Sequence, residues 1–99
     1  MKFMITYSYP ADNFLSVVKT WASMSTQERA YVGDGVKLIG RWHDVAARRS
    51  VGIFESNDVV AVSRFCGRWN ASGDCIITPV LDDEEAAAAA QQIAADHSG

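Results

Sequence analysis

Polar and apolar positions alternate at the start of the chain. Over residues 2–9, Phe3, Ile5, Tyr7 and Tyr9 stand against Lys2, Met4, Thr6 and Ser8. A period of two, rich in aromatic and β-branched residues, predicts a strand. The period then lengthens. Phe14, Val17, Val18 and Trp21 recur at helical spacing behind Pro10, whose missing N–H costs nothing in a first helical turn, so a helix is predicted from Pro10 to about Met24. Ser25 with Glu28 three residues on has the form of a capping box and predicts a short helical turn over residues 26–31, before Gly33-Asp34-Gly35 breaks the chain.

The stretch GVKLIGRWHDV, residues 35–45, reads as a second strand, and residues 50–55 read as a third. Ala46-Ala47-Arg48-Arg49 joins them as a hairpin. Ser56-Asn57-Asp58 supplies N-cap chemistry for a second long helix, with Val59, Val62, Phe65, Cys66 and Trp69 on its buried face and residues 70–73 closing it. Residues 74–81 form a fourth strand, in which adjacent Ile76 and Ile77 suit a strand covered on both faces. Asp82 with Glu85 has the form of another capping box, heading an Ala-rich helix to about Ala95. Alanine gives high helix propensity but little apolar area, so this helix is expected to dock weakly.

The order βαββαβ plus a terminal helix is the split-βαβ, ferredoxin-like arrangement: an α+β fold with a four-stranded antiparallel sheet and helices on one face. The chain's 99 residues make one domain, residues 1–99, in which 82–99 are the Ala-rich helix and tail.

Composition narrows the function classes. A net charge of −3 and a pI near 5.2 give no electrostatic footprint for nucleic acid or an anionic membrane. No apolar run approaches the ~18 residues of a membrane span, and the N-terminal stretch lacks the pattern of a signal peptide, so a cytoplasmic location is expected. Cys66 and Cys75 lack CxxC spacing and read as buried free thiols. No second His or Cys stands at ligand spacing around His43, and His97 lies near the C-terminus, so neither a metal nor haem is expected, nor any other cofactor. The acids 82–85 complement a helix dipole.

If the apolar strand faces meet the helices, Phe3, Ile5 and Tyr7 point inward with Leu38, Gly40 and Trp42, leaving Lys37, Ile39, Arg41 and His43 on the uncovered face. A four-residue turn pairing Val45 with Ser50 places His43 opposite Gly52 and Arg41 opposite Phe54. The uncovered face then carries Ile39, Phe54, Met4 and Ile76 beside Thr6, Arg41, His43 and Thr78. That mixture is too apolar for water and too polar for a dry core. A homodimer with its sheets face to face would bury it around a lined cavity.

The chain also resembles a family of short bacterial proteins of unknown function in the dimeric α/β-barrel superfamily. The resemblance rests on MKFMITYSY, GVKLIGRWH, VGIFESND and the segment from Trp69 through ITPVLDDEE. It implies a dimeric barrel. The superfamily includes cofactor-independent monooxygenases, isomerases, haem enzymes and ligand-sensing domains, so fold does not select function.

Arg41, His43, Thr6 and Phe54 are the candidate ligand-binding residues, for a small organic molecule. Arg41 and His43 are the catalytic candidates. An imidazole moves protons near neutral pH, and a guanidinium fork holds a carboxylate, enolate or phosphate. The competing readings are a strand histidine bonded to Asp44, Thr6 or backbone, and an arginine in a salt bridge with Glu55 or a dimer-mate acid. Asp44 and His43 point to opposite faces, which leaves a catalytic triad unsupported. Trp21, Trp42 and Trp69 read as helix-side core. The function classes in play are a cofactor-free enzyme with an anionic intermediate, a sensing or carrier module, and a purely structural homodimer.

Overall fold

The computed structural model describes residues 1–98. The elements are β1 (Lys2–Ser8), a 3-10 turn (Ala11–Asn13), α1 (Phe14–Ser23), α2 (Thr26–Ala30), β2 (Lys37–Asp44), β3 (Arg49–Glu55), α3 (Val59–Trp69), β4 (Asp74–Val80) and α4 (Asp83–Ser98). The strands form one sheet in the order β2-β3-β1-β4, every neighbouring pair antiparallel. This is the α+β, ferredoxin-like arrangement that the order of elements predicts.

Local chemistry explains where the helices begin. Ser25 and Glu28 form the reciprocal capping box: the Ser25 Oγ accepts from the Glu28 N–H, and the Glu28 carboxylate accepts from the Ser25 N–H. Asp58 caps α3 by accepting from the N–H groups of Val60 and Ala61. Asp82 and Glu85 exchange the same pair of bonds at the head of α4. Ser56 is buried and fully used, donating to the Gly35 carbonyl at 2.6 Å while accepting from the Asp58 N–H.

The core is small. Phe3, Ile5, Val32, Phe54, Val62 and Cys66 form its buried centre, with Leu38, Phe65 and Ile77 packed around it. Helix α3 docks through Val62 and Cys66, whereas α1 buries only Val17. No residue of α4 is buried, and its 16 residues project from the body. The radius of gyration is accordingly 16.5 Å, against about 13 Å for a compact chain of this length.

The hairpin of β2 and β3 departs from the expected pairing in two places. Asp44 Oδ1 accepts from the Ala47 N–H and Arg48 takes a left-handed φ of 56°, so the turn starts one residue early and Asp44, not Val45, closes the ladder opposite Arg49. His43 therefore faces Ser50, and Arg41 faces Gly52. Further along, Leu38 pairs with Phe54 but Gly40 pairs with Ile53, leaving Ile39 as the extra residue of a β-bulge. One extra residue exchanges the faces of everything beyond it.

The face assignment made from alternation is thus overturned for most of β2. Arg41 and His43 lie on the helix side with Phe3, Ile5, Tyr7 and Leu38, and Trp42 lies on the open side, 64% exposed rather than in the core. Phe54, expected on the open face, is 1% exposed at the centre of the core. Thr6 remains on the open side, opposite Val51 and Ile76. Gly40 fits this change: a Cβ there would come within 2.7 Å of the Trp42 ring, which lies across it.

Candidate functional site

Because α1 buries so little, a chamber of about 300 Å³ remains between it, α3 and the sheet. The sheet supplies its floor through Tyr7, Arg41, His43 and Phe54, and the helices supply its roof through Trp21, Phe65 and Trp69. Gly52 opposite Arg41 helps keep that floor low. A Cβ there would stand 2.7 Å from the Phe54 ring and 3.2 Å from the Gly40 carbonyl oxygen.

The walls are aromatic and mutually braced. Tyr7 meets Trp69 edge-on with ring centroids 5.5 Å apart, Trp69 lies 6.1 Å from Trp21, and Trp21 lies 5.0 Å from the His43 ring. The Ser72 hydroxyl donates to the Trp69 carbonyl at 3.1 Å, so it accepts from the Tyr7 hydroxyl at 2.6 Å. That bond ties the α3–β4 turn to β1. Burial, the larger influence, pushes the Tyr7 phenol above its ordinary pKa.

Arg41 is the charged group of the chamber without a carboxylate partner among the described residues; Arg49, also on the lining, pairs with Asp44 at 3.5 Å. The Arg41 guanidinium lies over Trp21, 4.6 Å from the ring centroid, and Nη2 donates to the Arg29 carbonyl at 2.8 Å. Glu55, the acid considered for it from the sequence, pairs instead with Lys2 at 3.5 Å. Among the described residues no carboxylate forms a salt bridge with Arg41. Burial, then the charge of Arg29, pushes its pKa below the ordinary value, although an arginine stays cationic in any case.

His43 sits at the exposed mouth of the chamber. Burial first, and then the Arg41 charge, hold its pKa below the ordinary 6.5, so the neutral imidazole is the resting form at pH 7. Asp44 is engaged elsewhere, with the Ala47 N–H and with Arg49 at 3.5 Å. Both cysteines are free, Cys66 buried and Cys75 half-buried on the chamber wall. The Cys66 thiol beside it and burial push the Cys75 thiol up, which keeps it protonated.

Of the four residues singled out from the sequence, the structure gathers Arg41, His43 and Phe54 around one chamber and leaves Thr6 on the opposite side of the sheet. The chamber lies under the helices, not between the sheets of two subunits. Alternation alone missed Tyr7, Trp21 and Trp69 as its walls. The signal lay in the aromatic stripe itself: two tryptophans facing a strand that carries arginine, histidine and, across from them, glycine cannot close into a dry core.

A four-stranded antiparallel sheet, backed on one side by helices that stand off it around an aromatic chamber, defines a ferredoxin-like α+β domain with room for a small ligand. The chain belongs to the family described as a domain of unknown function, DUF3303, which matches it over residues 1–94. No curated protein and no solved structure matches it. Among the described residues, no helix is long and apolar enough to cross a membrane.

Proposed function

We propose that the protein is a cytoplasmic homodimer that binds a small planar organic anion in the chamber beneath α1 and α3. The observation that carries this reading is Arg41: a half-buried guanidinium, over the Trp21 ring, with one backbone acceptor and no carboxylate partner among the described residues. Burying a charge without an opposite charge is unfavourable, and a ligand carboxylate or enolate beside Arg41 offsets it through a bidentate, charge-assisted bond. The aromatic walls accept the rest of a planar molecule, and about 300 Å³ is at the lower end of small-molecule sites.

1-Naphthoate is the first probe. Isothermal titration should show saturable binding to the native chain and a loss of about tenfold or more in Arg41→Ala, which is ~1.4 kcal/mol. Equal affinity in the two proteins, or no binding by any aryl carboxylate, would overturn the reading.

One observation favours a catalytic version over a sensing or carrier role. A neutral imidazole at the mouth of the same chamber can take a proton from a bound acid while Arg41 stabilises the anion that remains, with no cofactor required. Turnover lost in His43→Gln with binding retained would select the enzyme; saturable binding without turnover selects the sensor.

The other side of the sheet supports the homodimer part of this reading. Trp42 and Ile76 are 64% and 62% exposed there, beside Met4, Val51 and Ile53. An apolar sheet face of this kind is satisfied by a second copy.

A further inference from the structure

Beyond Arg41 the chamber opens into a wider cleft of about 730 Å³ between α1, α2 and the C-terminal end of α3. Three arginines line it: Arg29, Arg41 and Arg68. This is unusual placement in a chain of net charge −3. Among the described residues none of the three forms a salt bridge. Glu28, the one acid on the lining, has its carboxylate bound to the Ser25 N–H at 2.8 Å in the capping box.

Each guanidinium keeps donors free. Arg29 spends Nε and Nη2 on the Met24 carbonyl, at 3.1 and 2.8 Å, which fixes it near the Trp21 ring at 5.9 Å while leaving Nη1. Arg41 spends one donor on the Arg29 carbonyl. Arg68, in the last turn of α3, is exposed.

We propose that this cleft is a second, outer anion subsite, and that the ligand of the chamber carries a phosphate group which the cleft holds between Arg29 and Arg68 while Arg41 marks the passage between the two parts. The assignment rests on the reading of the chamber as an organic-anion site and names the class of molecule: an aryl or other planar acid bearing a phosphate-containing extension. A single carboxylate at Arg41 would leave Arg29 and Arg68 with only the capping carboxylate of Glu28 as a counter-charge on the cleft lining. A phosphate carries up to two charges and three acceptor oxygens, enough for two guanidinium forks, and the outer cleft is more than twice the volume of the chamber.

The test uses inorganic pyrophosphate as the probe of the cleft and 1-naphthoate as the probe of the chamber, on the full chain. Pyrophosphate should bind, moving the Nε–Hε resonances of Arg29 and Arg68 in nitrogen-15 spectra. Arg68→Glu should weaken pyrophosphate at least fivefold, and Arg68→Lys should restore most of that loss. The loss in Arg68→Glu should be at least fivefold larger for pyrophosphate than for 1-naphthoate. Arg64→Glu makes the same charge change on an exposed residue of α3 outside the cleft and should have little effect. Circular dichroism checks that each variant is folded. If pyrophosphate fails to bind, if Arg64→Glu weakens it as much as Arg68→Glu, or if the two arginine resonances stay still, the outer subsite is wrong. Binding of 1-naphthoate in that case leaves the chamber reading standing; failure of both probes removes both.

Discussion

The two faces of the sheet are built from the same four strands but satisfy their side chains differently. Under the helices, Phe3, Ile5, Leu38 and Phe54 reach a packed core at one end, and Tyr7, Arg41 and His43 line a chamber at the other. On the open face, Met4, Val51, Ile53, Ile76 and Trp42 form an apolar surface with no element of the described chain packed across it. The first face combines closed packing with a polar cluster in an open-mouthed chamber. The second is a flat surface that only another molecule can cover. A single extra residue, Ile39, decides which face receives Arg41 and His43 and which receives Trp42.

The comparison predicts its largest effect at Phe54. Truncation to Ala removes a ring that is 1% exposed at the centre of the core and should cost about 3–5 kcal/mol by chemical denaturation, whatever the protein concentration. Ile76→Ala on the open face should cost about 0.5 kcal/mol or less at concentrations where the subunits are apart, and more where they associate. Equal, concentration-independent losses at the two positions would mean the faces do not differ in this way.

A smaller effect on folding, but a clear one on assembly, is expected from Trp42→Lys. Trp42 is 64% exposed, so the charge should leave the body folded while weakening the proposed dimer at least tenfold. Light scattering across micromolar concentrations reads this. A native chain that stays near its 10.8 kDa monomer mass would remove the dimer and its assigned face together.

The elements were legible in the sequence because their signals are local. Capping at Ser25, Asp58 and Asp82, alternation in β1 and the helical stripe from Phe14 to Trp21 each depend on residues a turn apart. Helix α4 was legible too, apart from its reach to Ser98, because alanine propensity needs no partner. The faces and register of β2 were not, because non-repetitive events set them: the bulge at Ile39 exchanges the faces, and the Asp44 side chain, by starting the turn early, shifts which residues pair. A trace of the bulge is present in GVKLIGRWHDV, where adjacent Leu38 and Ile39 followed by Gly40 break the alternation. Whether such a break is a bulge or a strand buried on both sides is decided by β3, whose register the sequence of β2 does not contain.

The smallest effect concerns His43, and it tests whether Arg41 and His43, both at the chamber end of the helix-covered face, act as one site. Burial against the chamber and the nearby Arg41 charge both favour the neutral imidazole, so its folded pKa lies below the unfolded 6.5. The sign follows from proton binding: below about pH 6.5 the unfolded chain takes up a proton at His43 that the folded chain resists, so this group's contribution to stability is present above that pH and is lost as pH falls through the folded pKa. Replacing His43 with Gln should flatten that part of the stability–pH profile. Proton NMR of the His43 ring should give a midpoint under 6.5 that rises in Arg41→Gln, since one of the two causes has gone, and rises again in the native chain when 1-naphthoate binds, since an anion beside the ring favours the imidazolium. A midpoint at or above 6.5 that is indifferent to both changes would separate His43 from Arg41 electrically. The chamber would then have a binding group but no proton carrier, and the catalytic version of its function would fall while the binding version remained.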